Sequence, residues 1–109
     1  PPVLAPTKAA ILPLVKKDGL PEIAREIMDQ LKFDFSVTYD EKDAVGRRYR
    51  RQDAIGTPFC ITVDHETKND GAVTIRDRDN MQQKRVKIED LNKIIMQEVS
   101  MANWLRKNQ

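Results

Sequence analysis

Residues 58–76 read PFCITVDHETKNDGAVTIR. Pro58–Asp64 is the most β-rich run of the chain, Ala72–Arg76 is another, and His65–Gly71 between them is a polar turn. A parallel return needs a crossover of a dozen or more residues, so these two strands are antiparallel neighbours. Upstream of them, strand-like and helix-like patterns alternate, which places the chain among α/β layer folds.

Ala9–Val15 is a short apolar run closed by Lys16, Lys17, Asp18 and Gly19, and reads as a buried first strand. Pro13 has no N–H for a ladder, which puts it at the strand's exit or at a bulge. Pro21 suits a first helical turn. Ile23, Ala24, Ile27, Met28 and Leu31 follow at helical spacing, with Glu22, Arg25, Glu26, Asp29 and Lys32 opposite. Phe35, Val37 and Tyr39 alternate as a second strand. Asp43 is a candidate cap for a second helix over Ala44–Ile55, closed by Gly56 and Pro58. Arg85–Ile88 adds a short fifth strand. Glu89–Lys107 reads as a final helix that turns Leu91, Ile94, Ile95, Val99, Met101 and Leu105 inward. The order β-α-β-α-β-β-β-α predicts a mixed sheet whose first three strands are parallel, with helices over its faces.

The 109 residues suit a single domain spanning 1–109. Nineteen Lys and Arg against seventeen Asp and Glu leave a net charge of only +2, which excludes a globally basic coat for nucleic acid. Any such footprint must be a local cluster. One cysteine excludes an intrachain disulfide framework and a zinc ribbon. No apolar run approaches the roughly 18 residues of a membrane span, and no signal peptide opens the chain. The start at Pro1-Pro2, without an initiator Met, reads as a piece of a longer protein.

Little here suits catalysis. Cys60 lies mid-strand between Phe59 and Ile61, where a free thiol acts as a small buried hydrophobe. His65 is the only histidine and sits in a polar turn, as a surface residue or a polar contact. Val15-Lys16-Lys17-Asp18-Gly19 lacks the glycines of a phosphate loop, and the first strand ends in lysines where a phosphoacceptor module wants acids. Lys16 and Lys17 read as a solvated pair or a phosphate contact. Trp104 reads as a residue docking the final helix, or as a stacking platform.

The arginines are better organised. Residues 46–51, GRRYRR, place four of them in five positions. At about 100° per residue, Arg47, Arg50 and Arg51 share an outer side. Val45, Tyr49, Gln52 and Ile55 gather inside, with Arg48 near their margin. The outer face is either solvated and paired with Asp53 and nearby acids, or a site for anions, whose oxygens the planar guanidinium holds in pairs. Arg76-Asp77-Arg78-Asp79 closes the fourth strand. It reads as a self-paired surface ion pair, or as a mixed set of donors and acceptors of the kind that reads unstacked RNA bases. The second helix returns to the start of the third strand, where the fourth ends. Arg50 and Arg51 are therefore expected to face Arg76 and Arg78, with Asp64 and Glu66 farther along at the strand three–four turn.

VGRRYRRQDAIGTPFCITVD followed by AVTIRDRDNMQQKRVKI closely resembles the C-terminal anticodon-binding domain of class II glycyl-tRNA synthetases of the homodimeric type. LAPTKAAILPL matches that domain's entry, so the resemblance spans about residues 3–107. Ala54 departs from it, because the family commonly has Glu there. The resemblance implies an α/β three-layer sandwich, a five-stranded mixed sheet flanked by three helices. It also implies a cytoplasmic, homodimeric parent ligase. This domain would hold the anticodon arm of glycine tRNA, without a cofactor of its own. A separate domain would use ATP and Mg²⁺ to make glycyl-adenylate and transfer glycine. By motif position, base reading falls to Arg76, Asp77, Arg78 and Asp79, and then to Arg50, Arg47, Arg51, Asp64 and Glu66. Glycine anticodons end in two cytosines, which suits Arg donors beside carboxylate acceptors. Two alternatives keep the fold: the anticodon domain of a threonyl, prolyl or histidyl enzyme, and an accessory or dimerisation module without RNA specificity. A small signalling or redox enzyme is the third, opposed by the missing acid pocket and the lone Cys60.

Overall fold

The computed structural model describes residues 7–98. Five strands, β1 (Ala9–Pro13), β2 (Val37–Tyr39), β3 (Phe59–Val63), β4 (Ala72–Asp77) and β5 (Gln83–Lys87), make one sheet in the order β2-β1-β3-β4-β5. β1 lies parallel to both β2 and β3, whereas β4 is antiparallel to β3 and β5. The antiparallel return is the one expected from the short turn, with Phe59 opposite Asp77 and Thr62 opposite Thr74. Pro13 is the last residue of β1, where its missing N–H matters least.

The helices are α1 (Leu20–Leu31), α2 (Val45–Ala54), a single turn α3 (Thr67–Asp70), and α4 (residues 91–98). On α1, Leu20, Ala24, Ile27 and Leu31 are buried at steps of four, three and four, which keeps them on one stripe. That stripe, with Leu91 and Ile95 of α4, packs on Ile11, Ile61, Val73 and Ile75. Strand alternation turns Ala10, Leu12 and Cys60 to the opposite face, where Tyr49 of α2 covers them. The result is the three-layer sandwich. On α2's face the β4–β5 half of the sheet carries Thr74, Arg76, Gln83, Arg85 and Lys87, and the three β5 side chains are exposed.

Five local expectations change. β2 begins at Val37, and Phe35 lies in the bend before it while still packing in the core. Asp43 does not cap α2, since the N-cap is Ala44 with no side-chain bond. Asp43 instead has φ 67 and accepts from Arg51 at 3.2 Å. Ile55 lies one residue past the end of α2 and is 60% exposed, so it leaves the inner stripe. The polar turn winds into α3, started by Asp64 Oδ1, which accepts from the Thr67 N–H at 3.1 Å, and stopped by Gly71 at φ 64. β5 begins two residues earlier than expected, because the link from β4 is a tight turn. The expectations on Val99, Met101, Trp104 and Leu105 lie outside the described residues.

Arg48 is the largest departure. It is 2% exposed, not marginal. Its Nη1 donates to the Pro13 and Asp40 carbonyls and its Nη2 to the Leu14 carbonyl at 3.0 Å. These carbonyls belong to the last residue of β1 and to the residues just past β1 and β2; the Pro13 bond is buried and the other two are half-buried. One guanidinium thus ties α2 to two parallel strands. Arg48→Ala is expected to cost about 3 kcal/mol in urea unfolding, against less than about 0.5 kcal/mol for the exposed Arg50→Ala. Equal midpoints for the two variants would contradict this role.

Candidate nucleic-acid interface

The start of β3 and the end of β4 meet at one sheet margin, beside the last turn of α2. Arg76, the penultimate residue of β4, faces α2. Its Nη1 and Nη2 donate to the two carboxylate oxygens of Asp53 at 2.9 and 3.0 Å. Its guanidinium lies 5.0 Å from the centroid of the Tyr49 ring, and Nη2 also meets Met81 Sδ at 3.1 Å. Tyr49 is held in turn by a hydroxyl–hydroxyl bond to Thr62. Arg76 is only 7% exposed.

Two residues on, Arg78 is held differently. Its N–H donates to the Pro58 carbonyl at 2.8 Å and its Nε to the Asp53 carbonyl at 3.0 Å. Nη1 reaches Asp79 only at 3.5 Å, and Nη2 has no partner among the described residues. The outer edge of this guanidinium is therefore open. Arg47 and Arg50 are exposed on α2 and, among the described residues, have no hydrogen-bond or ion-pair partner.

Asp77 points to the other face of β4. It lines a cleft of about 290 Å³ between α4 and the β4–β5 turn. The floor is apolar, from Phe59, Ile75 and Ile94; the rim holds Asp77, Asn80, Gln82, Gln83, Lys84 and Glu98. Carboxylates and carboxamides supply both acceptors and donors there, over a surface suited to a planar ring. Of these residues only Asp77 was singled out by the sequence. Gln82, Gln83 and Glu98 carry no local motif, because only the packing of α4 beside the hairpin brings them together.

The remaining expected residues go elsewhere. Arg51 does not face β4: Nε and Nη2 bind the Asp40 carboxylate at 3.0 and 2.9 Å, and Nη1 binds Asp43. Two residues along a helix are about 200° apart, so with Asp53 towards β4, Arg51 must point to β2. Asp64 and Glu66 sit at the opposite end of β3. Asp64 takes Arg85 Nη1 and Nη2 at 2.8 and 3.0 Å, and Glu66 accepts from Asn69. Arg85 also binds Asp70, and it holds both aspartates below the ordinary carboxylate range. Cys60 is buried, which pushes its thiol up to about 12 and leaves it a poor nucleophile. His65 is exposed and pairs with Asp18 at 2.9 Å. Among the described residues, no three His, Cys, Asp or Glu side chains are grouped to hold a metal ion. No helix of the described residues is long and apolar enough to cross a membrane.

Residues 8–98 match the family described as Anticodon binding domain. The chain belongs to that family. It is 63% identical over 90 residues to a glycine–tRNA ligase of Rhodopirellula baltica, covering 83% of this chain and 17% of the relative. It is 64% identical over 94 residues to a glycine–tRNA ligase of Clostridium perfringens, covering 86% and 20%. The chain thus spans about a fifth of the length of these relatives. Among solved structures, a prolyl-tRNA synthetase from Cryptosporidium parvum superposes with a TM-score of 0.84 at 23% identity, over 93% of this chain and 22% of that one. The RNA binding domain of a threonyl-tRNA synthetase from the same organism gives 0.79 at 21% identity, over 89% and 24%. At such identities the likeness shows the shared fold, and it agrees with the sandwich described above.

The Arg85 clamp yields a pH test. A carboxylate with a depressed folded pKa stabilises the fold above its unfolded pKa, about 4, and loses that contribution as pH falls through the folded value. Arg85→Ala is expected to lower the urea midpoint at pH 7, with the gap to wild type closing below about pH 4. A gap unchanged from pH 7 to pH 2 would show that the clamp is not electrostatic.

Proposed function

We propose that this chain holds the anticodon arm of glycine tRNA within a cytoplasmic, homodimeric glycine–tRNA ligase. The chemistry with ATP and Mg²⁺ belongs to the rest of that enzyme. The observation that carries this reading is the sheet margin itself: an open Arg78 guanidinium on one face of β4, and a base-sized cleft with mixed donors and acceptors on the other. An RNA loop can splay successive bases, and a strand end that points alternate side chains to opposite faces suits two of them. The high identity to glycine–tRNA ligases supports glycine tRNA as the source.

Cytosine presents an amino donor and ring acceptors on its pairing edge. In the cleft, Asp77 or Glu98 would accept from the amino group, and the Gln82 carboxamide would donate to the ring acceptors. At Arg78 the terminal nitrogens would donate to a second cytosine, with Asp79 beside them as acceptor. Arg47 and Arg50 lie back from the margin on α2 and would meet phosphates, which adds affinity without sequence information. Arg51, Asp64 and Arg85 are engaged within the chain, and Glu66 stands at the far end with Asp64.

The test is a titration of the chain against a glycine anticodon hairpin and one with both cytosines changed, at two salt concentrations. Preference for the native hairpin that survives the higher salt is expected. Arg47→Ala should weaken both hairpins alike and reduce the slope of log K against log salt by about 0.7–1. Equal binding of the two hairpins by the wild-type chain would remove base reading from this domain.

A further inference from the structure

Arg76 and Arg78 are two residues apart on one strand end, yet their environments divide their work. Arg76 has both terminal nitrogens on Asp53, its face on Tyr49 and almost no exposed surface. A base could reach those nitrogens only by breaking a half-buried two-point ion pair, which would strand the Asp53 carboxylate. Arg78 has its outer edge open and its inner Nε on the main-chain carbonyl of that same Asp53. Asp53 therefore joins the two arginines: its side chain is gripped by Arg76, and its carbonyl grips Arg78.

We propose that Arg76 and Asp53 are positioning residues that fix the plane of the Arg78 guanidinium, and so set which bases the domain accepts without touching RNA. The proposal rests on the tRNA reading above. Physically, the Asp53 carbonyl belongs to the last turn of α2, where it accepts from the Gly56 N–H at 3.2 Å as well as from Arg78, and no further helical turn follows to hold it. The Asp53–Arg76 pair pins that turn to β4. The Arg78 main chain is pinned separately, through its N–H to Pro58. With both points fixed, the Nε–H direction fixes the guanidinium plane. A two-point contact to a base tolerates little displacement, since hydrogen bonds weaken steeply outside about 2.7–3.2 Å and 120–180°. Loosening the mount would leave the positive charge in place and lose the aim.

The experiment is a double-mutant cycle in the whole chain. Arg76→Gln and Asp53→Asn are each made with Arg78 intact and with Arg78→Ala, and binding to the two hairpins is measured by fluorescence anisotropy. Each single variant is expected to reduce the preference for the native hairpin by about fivefold or more, with a smaller change in binding to the altered one. Neither should add a further loss once Arg78 is alanine. An Arg76→Gln effect that persists in the Arg78→Ala background would mean that Arg76 meets RNA itself, and would overturn the proposal. So would wild-type preference in both single variants. Asp53→Asn keeps the carbonyl and the side-chain shape, and decides the matter if Arg76→Gln does not fold. An RNA-free arm follows the Arg78 Nε–H signal by ¹⁵N NMR. It should be sharp and slow to exchange in wild type, and lost in both variants while the amide spectrum stays native. An unchanged signal overturns the mount. Absence of any hairpin preference in wild type instead removes the tRNA reading, and leaves this arm to judge the mount alone.

Discussion

A buried guanidinium carries five donors in a rigid fork, and each needs an acceptor once water is excluded. Helix α2 is tied at both ends of its run across the sheet by guanidinium groups that find most of these acceptors; the buried Arg48 Nε has none among the described residues. Near its start Arg48 takes carbonyls at the ends of β1 and β2. Near its finish Asp53 takes Arg76 from β4. Between these two ties Tyr49 packs on Ala10, Leu12 and Cys60. The apolar contact of α2 with the sheet is small, because a helix with four arginines in ten residues has little to bury. Directional polar bonds supply the register that a wide apolar stripe gives α1.

This arrangement sorts the basic residues by what is left over. Arg51, Arg76 and Arg85 have their charge matched by carboxylates inside the chain, and Arg48 spends its terminal nitrogens on main-chain carbonyls. Arg47, Arg50 and the outer edge of Arg78 are not so engaged. A net charge of +2 gives no broad field, so under the proposed function the attraction for a polyanion would fall to local groups, Arg78 at the margin and Arg47 and Arg50 back along α2. The same margin holds the cleft over Phe59 and Ile75. Charge and a ring-sized apolar floor therefore coincide there. At the opposite end of β3 the acids Asp64 and Asp70 are already spent on Arg85.

The strands were legible because alternation and turn length are local properties. Pro58–Asp64 and Ala72–Arg76 could pair in only one sense, and Pro13 could sit only at its strand's exit or at a bulge. The arginine run was legible as a cluster but not as individuals. A helical wheel places Arg48 at a margin, since nothing in residues 45–55 announces that two strand ends offer bare carbonyls above it. Ile55 fits the inner stripe by periodicity, yet Gly56 ends the helix before that angle applies. Asp64 and Glu66 share chemistry with the RDRD run, but a five-residue strand separates the two turns by about 17 Å. Apart from Asp77, the rim of the cleft had no signal in the sequence. Its Gln82, Gln83, Ile94 and Glu98 are unremarkable until α4 lies beside the hairpin.

The central claim is that RNA is received at the margin where β3 begins and β4 ends. Amide chemical-shift mapping of the ¹⁵N-labelled chain, titrated with the glycine anticodon hairpin, tests it most directly. The account predicts perturbations concentrated at residues 77–84, at Arg47 and Arg50, and at Ile94 and Glu98, with the loop ends at residues 14–19 and 64–70 unchanged. Perturbations gathered at residues 14–19 and 64–70, with Asp77 to Lys84 silent, would contradict it and move the interface to the other end of the sheet.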